Sequence, residues 1–212
     1  MKTKRNTARV PKQRRGQERF ETILDCAAKL MKTVPPTKLN HYQIAKEIGC
    51  APATVYHLFP SMNALFCVLL QRYRRSLLTY LKAEDSIVSH DNWHALLHHK
   101  FERTLTYFVK TPELQELLFN QELPKIVSAP ESSDDETMSG YLASIMRGDF
   151  QTRNVTDLDL HVTRTVQIFH AVQEQRFVDN HGPAEIVVND ATEAALAYLE
   201  AIVPKAEASA TP

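Results

Sequence analysis

The sequence predicts an all-α protein: a three-helix domain containing a helix-turn-helix, joined by a long helix to a larger helical domain. Three observations carry this. Apolar residues recur every three or four positions through almost every segment of the 212-residue chain. Between Leu39 and Phe66 two short periodic segments are separated only by a glycine-containing turn. Charge is also divided along the chain: residues 1–82 hold 16 Lys or Arg against 4 Asp or Glu, a net +12, whereas residues 83–212 hold 9 against 21, a net −12. The basic part has the electrostatic footprint of a module that binds a polyanion, and the acidic part belongs away from it.

Met1 to Arg15 contains Lys2, Lys4, Arg5, Arg9, Lys12, Arg14 and Arg15 with no acid and little that is apolar. Such a segment cannot bury enough surface to order itself, so residues 1–15 are expected to form a flexible basic arm. From Gln17 to Lys32, Phe20, Ile23, Leu24, Ala27, Leu30 and Met31 fall at helical spacing. Val34-Pro35-Pro36 then ends this first helix by imposing extended geometry.

In the central stretch, Ile44, Ala45 and Ile48 form the apolar side of the second helix, and Gly49 ends it where a left-handed residue is required. Pro52 suits the first position of the third helix, because the N–H it lacks is not needed there. Val55, Leu58 and Phe59 face inward, leaving Ala53, Thr54, Tyr56 and His57 outward. A second helix of this size fits the DNA major groove, with Thr54 and His57 able to reach base edges and Tyr56 able to donate to phosphate. Asn40 can cap the second helix while lying near a phosphate, and Lys38 and Lys46 flank the turn.

Ile44-Ala45 ahead of Gly49, followed by Thr54-Val55-Tyr56-His57-Leu58-Phe59-Pro60-Ser61, resembles the signature of TetR-family transcriptional regulators over about Glu18 to Leu70. The remaining two thirds is similar only in helical layout and length. Asn40 stands where the family usually has threonine, Ala51 where it has a capping serine, and Met62 where it often has lysine. The recognition helix carries no Lys or Arg, which shifts phosphate attraction to Lys38, Lys46, Arg14, Arg15 and the arm. The resemblance implies a homodimeric repressor that binds a palindromic double-stranded operator and is released by a small-molecule effector. It implies no enzyme activity and no cofactor.

Ser61 is expected to cap a fourth helix, carrying Leu65, Phe66, Leu69, Leu70, Tyr73, Leu77, Leu78 and Leu81, that ends near Lys82. Glu84 to Asn92 reads as a loop, and Trp93, Leu97, Phe101, Leu105 and Phe108 as a helix running to Thr111-Pro112. Leu114, Leu117 and Leu118 follow, then a break bracketed by Pro124 and Pro130, with Ser128–Glu136 acidic and expected to be mobile. Met138, Tyr141, Leu142, Ile145 and Met146 mark the next helix, and Asp157 is placed as the cap of the one after it, Leu158 to Asn180. That helix has two apolar faces: Val162, Val166, Phe169, Gln173 and Phe177 on one, and Ile168, Ala171 and Val172 on the other. The last helix, ending near Ile202, also has two. Val187, Ala191, Ala195, Tyr198 and Ile202 form one stripe, Val188, Leu196, Leu199 and Val203 the other, with Asp190 and Glu193 as a capping box.

Two-sided helices suggest a four-helix bundle formed with a second copy, so Ile168, Ala171, Val172, Ala195, Leu199 and Ile202 are the expected dimer interface. Phe101, Leu105, Phe108, Tyr141, Phe169 and Phe177 are candidate cavity residues, with His170 and Gln173 as polar contacts, since a polar group on a core stripe needs a partner. The domain division expected is arm 1–15, DNA-binding domain 16–68, regulatory and dimerisation domain 69–204 and tail 205–212.

Other chemistries find little footing. With glycines only at 16, 49, 140, 148 and 182, there is no phosphate-cradling loop and no nucleophile elbow. No apolar run approaches the roughly 20 residues of a spanning helix, and the charged N-terminus has no apolar segment behind it, so a cytoplasmic protein that avoids the membrane is expected. Cys26, Cys50 and Cys67 lack metal or redox spacing and read as reduced thiols. The competing reading is a helical metalloprotein or metalloenzyme using His94, His98 and Glu102, which share one helix face; a solvated histidine face is favoured over it, and no metal site is expected.

Overall fold

A computed structural model describes residues 7–123, 137–150, 152, 154–184 and 188–203. Among these are α1 (Arg14–Met31), a 3-10 turn (Pro36–Lys38), α2 (His41–Glu47), α3 (Pro52–Leu58), α4 (Met62–Lys82), α5 (Trp93–Lys110), α6 (Pro112–Phe119), α7 (Met138–Asp149), α8 (Leu158–Asp179) and α9 (Asp190–Glu200). No strand occurs among the described residues, so the protein is all-α. The expected acidic break at 128–136, Val187 and the tail 205–212 lie outside them.

Two compact units result: Met1–Arg75 with Pro112–Pro130, and Ser76–Thr111 with Glu131–Pro212. The boundary thus falls inside α4, beyond the expected junction at 68/69, and α6 belongs with the N-terminal unit. Short helices cannot be assigned to a unit from periodicity, because it shows that a face is buried but not against what. Among the described residues, no single helix is long and apolar enough to cross a membrane.

In the first unit, α1 packs on α2 and α2 on α3. Phe20, Ile23, Leu24 and Ala27 of α1, Ile44 and Ala45 of α2, and Val55, Leu58 and Phe59 at α3 are buried, with the Phe20 and Phe59 rings stacked 4.6 Å apart. Gly49 has φ +65°, the left-handed geometry that closes α2, and Ser61 Oγ accepts from the Ala64 amide to start α4. The arm is shorter than expected. α1 begins at Arg14, so Arg14 and Arg15 are helical, and Arg9 N–H donates to the Leu58 carbonyl at 2.8 Å. A Cβ on Gly16 would lie 2.6 Å from Pro11, which shows how closely residues 7–13 fold back on α1. Contact of the half-buried Pro11 with α1 and one backbone bond hold what composition alone would leave loose; residues 1–6 lie outside the described chain.

In the second unit, α8 packs between α7 and α9, and α5 against α9. Trp93, Leu97, Phe101, Leu105 and Phe108 of α5 and Val162, Val166, Phe169, Gln173 and Phe177 of α8 form its core. The C-terminus of α4 is held by a polar network. Lys100, 2% exposed, donates to the Leu81 carbonyl at 2.7 Å and pairs with Asp85 at 2.5 Å, while Arg103 donates to the Tyr80 carbonyl and pairs with Glu84. The orphan carbonyls of a helix end thus meet cations, the favourable sign for its dipole. Two expected caps are corrected. Asp157 precedes α8 in a left-handed conformation (φ +54°) with no side-chain cap bond, and Asp190 is the first residue of α9, its carboxylate accepting from the neighbouring Ala191 amide in place of a capping box.

Candidate nucleic-acid interface

Asn40 builds the entrance to the helix-turn-helix. Its Oδ1 accepts from the Tyr42 and Gln43 amides, both at 3.1 Å, and Gln43 Oε1 accepts from the Asn40 amide at 2.9 Å, a complete capping box. The Asn40 oxygen is therefore committed to the helix, and its amide nitrogen is the side-chain group left to donate to a phosphate. Ala51 starts α3 without any side-chain cap, as its methyl group dictates, and Pro52 occupies the first helical position.

Val55, Leu58 and Phe59 are buried, while Ala53, Tyr56 and His57 are exposed and Thr54 is half-buried. The outward set is thus displayed as the sequence implies. Lys38, Lys46, Arg14 and Arg15 are also exposed. Arg14 pairs with Glu18 at 2.9 Å, which leaves Arg15 the less committed of the two.

Two residues that the sequence did not single out complete the surface. His41 is buried and its Nε2 donates to the Phe59 carbonyl at 2.8 Å; burial holds its pKa below the usual imidazole value, an effect the backbone bond opposes. The His41 ring stacks on Tyr56 at 4.0 Å, and Tyr56 in turn meets the edge of Tyr42 at 6.2 Å. Tyr42 is 63% exposed. The available signal was an aromatic with nothing apolar beside it on the outer face of α2, four residues before Lys46.

The candidates of the second unit divide. Phe101, Leu105, Phe108, Phe169, Gln173 and Phe177 are buried and His170 is half-buried. Phe101 stacks on Phe169 at 4.6 Å, with Phe108 and His170 close by at 6.4 and 5.9 Å from Phe169. Gln173 Oε1 accepts from Arg176 at 3.4 Å, while its buried Nε2 has no hydrogen-bond partner among the described residues. Tyr141 belongs elsewhere: its hydroxyl donates to Asp85 at 2.8 Å, so it is spent on the network at the end of α4. Among the dimer candidates, Ala171 is exposed and Ile168, Val172 and Ile202 are half-buried, but Ala195 and Leu199 are completely buried within the one chain. Those two are corrected, because the inward face of α9 takes residues from both expected stripes, namely Ala191, Ala195, Leu196, Leu199 and Val203.

The histidine face of α5 is not simply solvated. His94 pairs with Glu200 of α9 at 2.8 Å, and His98 lies 3.5 Å from both Glu102 and Glu193. Among the described residues no three His, Cys, Asp or Glu side chains converge on a metal position. Burial pushes the thiols of Cys26 and Cys67 up, which keeps them protonated.

Comparison with known proteins accords with this geometry. The family model described as bacterial regulatory proteins, tetR family, matches residues 23–67. A nucleoid occlusion factor, SlmA, of Shewanella oneidensis is 34% identical over 61 residues, 29% of this chain and 31% of that protein. The chain thus matches about a third of the length of its curated relatives. Two solved structures share the fold over most of their length. One, described as a TetR-family transcriptional regulator from Mesorhizobium loti, has a TM-score of 0.63 and 17% identity, covering 90% of this chain and 97% of the other. Another, described as a TetR transcriptional regulator from Rhodococcus sp. RHA1, has a TM-score of 0.61 and 16% identity over 89% and 98%. Residues 23–67 thus match the helix-turn-helix region of the tetR family of bacterial regulatory proteins, and the chain as a whole shares the all-helical fold of solved structures so described.

Proposed function

We propose that the protein is a cytoplasmic, homodimeric DNA-binding transcriptional repressor that reads a palindromic operator through α3 and is released by a small-molecule effector. The observation that supports this most directly is α3 itself. All its large apolar residues are buried, yet Tyr56 and His57 remain outside on a helix with no structural need for them. In this reading Ala53, Thr54 and His57 meet bases and Tyr56 a phosphate, while Lys38, Lys46, Arg15 and the arm supply phosphate attraction. Asn40 acts by fixing the start of α2.

One recognition helix reads only a few base pairs, and a symmetric pair reads a palindrome. The pairing face is Ile168, Ala171 and Val172 on α8 with Ile202 on α9. The effector is placed among Phe101, Leu105, Phe108, Phe169 and Phe177, with Gln173 and His170 as polar contacts. Since α4 begins in one unit and ends in the other, an effector that prefers one position of α4 alters the spacing of the paired recognition helices. By reciprocity, such an inducer binds less tightly to the operator complex.

The test is selection of preferred duplexes from a random pool by the full chain, followed by titration across salt. A palindromic consensus whose affinity drops with His57→Ala supports the reading. A protein that enriches no sequence is not a sequence-specific regulator.

A further inference from the structure

Tyr42 lies off the recognition helix and outside the core. At 63% exposure its ring keeps most of its contact with water, so it contributes little to the packing of α2. Nor is it loose. Its edge meets Tyr56, which is itself 42% exposed and stacked on His41 with an interplanar angle of 16°. His41 is fixed in turn by burial and by its Nε2–H bond to the Phe59 carbonyl. A buried histidine thus sets one tyrosine ring and that ring limits the next, leaving two phenol hydroxyls outside with no hydrogen bond inside the described chain.

Resting on the DNA-binding reading above, we infer that Tyr42 is a second phosphate-contacting tyrosine of the DNA interface and that His41 is the positioning residue for Tyr56. Three features select a nucleic-acid backbone as the occupant. The face is otherwise cationic: Tyr42 precedes Lys46 by one helical turn, and Lys38 lies just before α2. A phenol is a neutral donor that matches a phosphate oxygen, and holding it costs little conformational entropy because the side chain has only two torsions and its ring already meets Tyr56 edge-on. The α3 face supplies no cation of its own, so neutral donors are what it can offer to a phosphate.

The experiment uses the full chain and the duplex that the wild type selects, beside an unrelated duplex of equal length. Tyr42→Phe, which removes one hydroxyl from an exposed position and leaves the fold untouched, is expected to weaken binding about tenfold on both duplexes. Its salt slope should equal the wild type's, because a phenol displaces no counterion, whereas Lys46→Ala should reduce that slope by about 1. His41→Leu should weaken binding in the Tyr56 background but add nothing to Tyr56→Phe, since a misplaced ring matters only while it carries a hydroxyl to place.

Wild-type affinity in Tyr42→Phe, or a loss confined to the selected duplex, overturns the phosphate contact of Tyr42. Additive losses for His41→Leu and Tyr56→Phe overturn the positioning role. Failure of the wild type to select any duplex is a different result and removes the DNA-binding reading itself.

Discussion

The two units solve the problem of burying a helix in different ways. In the first, each helix of the helix-turn-helix has one apolar side turned inward and a polar side left in water, and the only buried polar side chain between α1 and α3 is His41. In the second, Lys100, Thr104, Thr165, Gln173 and Thr192 are all buried. The helix-turn-helix is therefore built from contacts that can be lost one at a time, and the buried polar side chains of the first unit besides His41, Glu113 and Gln115, lie on α6. A unit of the second kind depends on polar pairs, and removing one partner strands the other. The contrast teaches where substitution is tolerated: outside α3 almost freely as far as stability goes, inside α5 and α8 hardly at all.

The largest expected effect tests where the second unit ends and a partner copy begins. Leu199→Glu puts a carboxylate at a completely buried site and should cost roughly 3–5 kcal/mol, seen as loss of helicity or a steep fall in melting temperature. Ala171→Glu, on the exposed face of α8, should leave the melt of the isolated chain nearly unchanged but give monomers in sedimentation. If both variants stayed dimeric and folded, the pairing face would lie elsewhere.

Next in size is the network at the end of α4. Asp85→Asn leaves the almost fully buried Lys100 ammonium without its carboxylate and should cost about 2–3 kcal/mol; Lys100→Met strands only a carboxylate that is about a third exposed and still bonded to Tyr141, and should cost less. Chemical denaturation of the two variants measures the difference. The reverse order would mean that Asp85, and not Lys100, is the group that burial holds hostage.

The same contrast explains what the sequence could and could not convey. Gly49, Pro52, Val55 and Leu58 have local causes, namely a left-handed turn, a missing N–H and a single apolar stripe, so the recognition helix was legible position by position. α8 and α9 show two stripes each, and periodicity cannot say which stripe meets the chain's own core. Ala195 and Leu199 went inward for that reason, while Ile168, Ala171 and Val172 stayed at or near the surface. Tyr141 looked like a cavity aromatic until its hydroxyl was found on Asp85, a partner 56 residues away that no spacing rule links to it. His41 was equally hidden, because its value lies in a carbonyl of a later turn.

His41 offers a smaller test in the N-terminal unit. Its pKa is held down in the folded state chiefly by burial, so the unfolded chain binds the proton more readily. Unfolding therefore takes up protons below the ordinary imidazole range: the contribution of neutral His41 is complete above about pH 6.5 and is lost as pH falls below it. The melting temperature of the wild type should drop more between pH 7.5 and 5.5 than that of His41→Phe, which stacks on Tyr56 but cannot titrate. Equal drops would show that other groups govern the acid limb.

The smallest effects concern the two caps, where the helix-turn-helix holds its own comparison. Asn40 closes a full capping box on α2, and Asn40→Ala should cost about 1 kcal/mol. Ala51 leaves α3 uncapped although its backbone (φ −66°, ψ 136°) already has the extended geometry of a cap. With Pro52 carrying no N–H and the Thr54 amide already donating to the Ala51 carbonyl at 2.9 Å, the amide of Ala53 is the donor left for a cap in the first turn. A serine oxygen at 51 would accept from it. Ala51→Ser should therefore stabilise the protein by roughly 0.5–1 kcal/mol and raise its melting temperature slightly, with Asn40→Ala and Ala51→Ser additive because they cap different helices. A serine that destabilised the protein would mean that α3 does not start at Pro52, and the outward set of Ala53, Thr54, Tyr56 and His57 would then have to be redrawn.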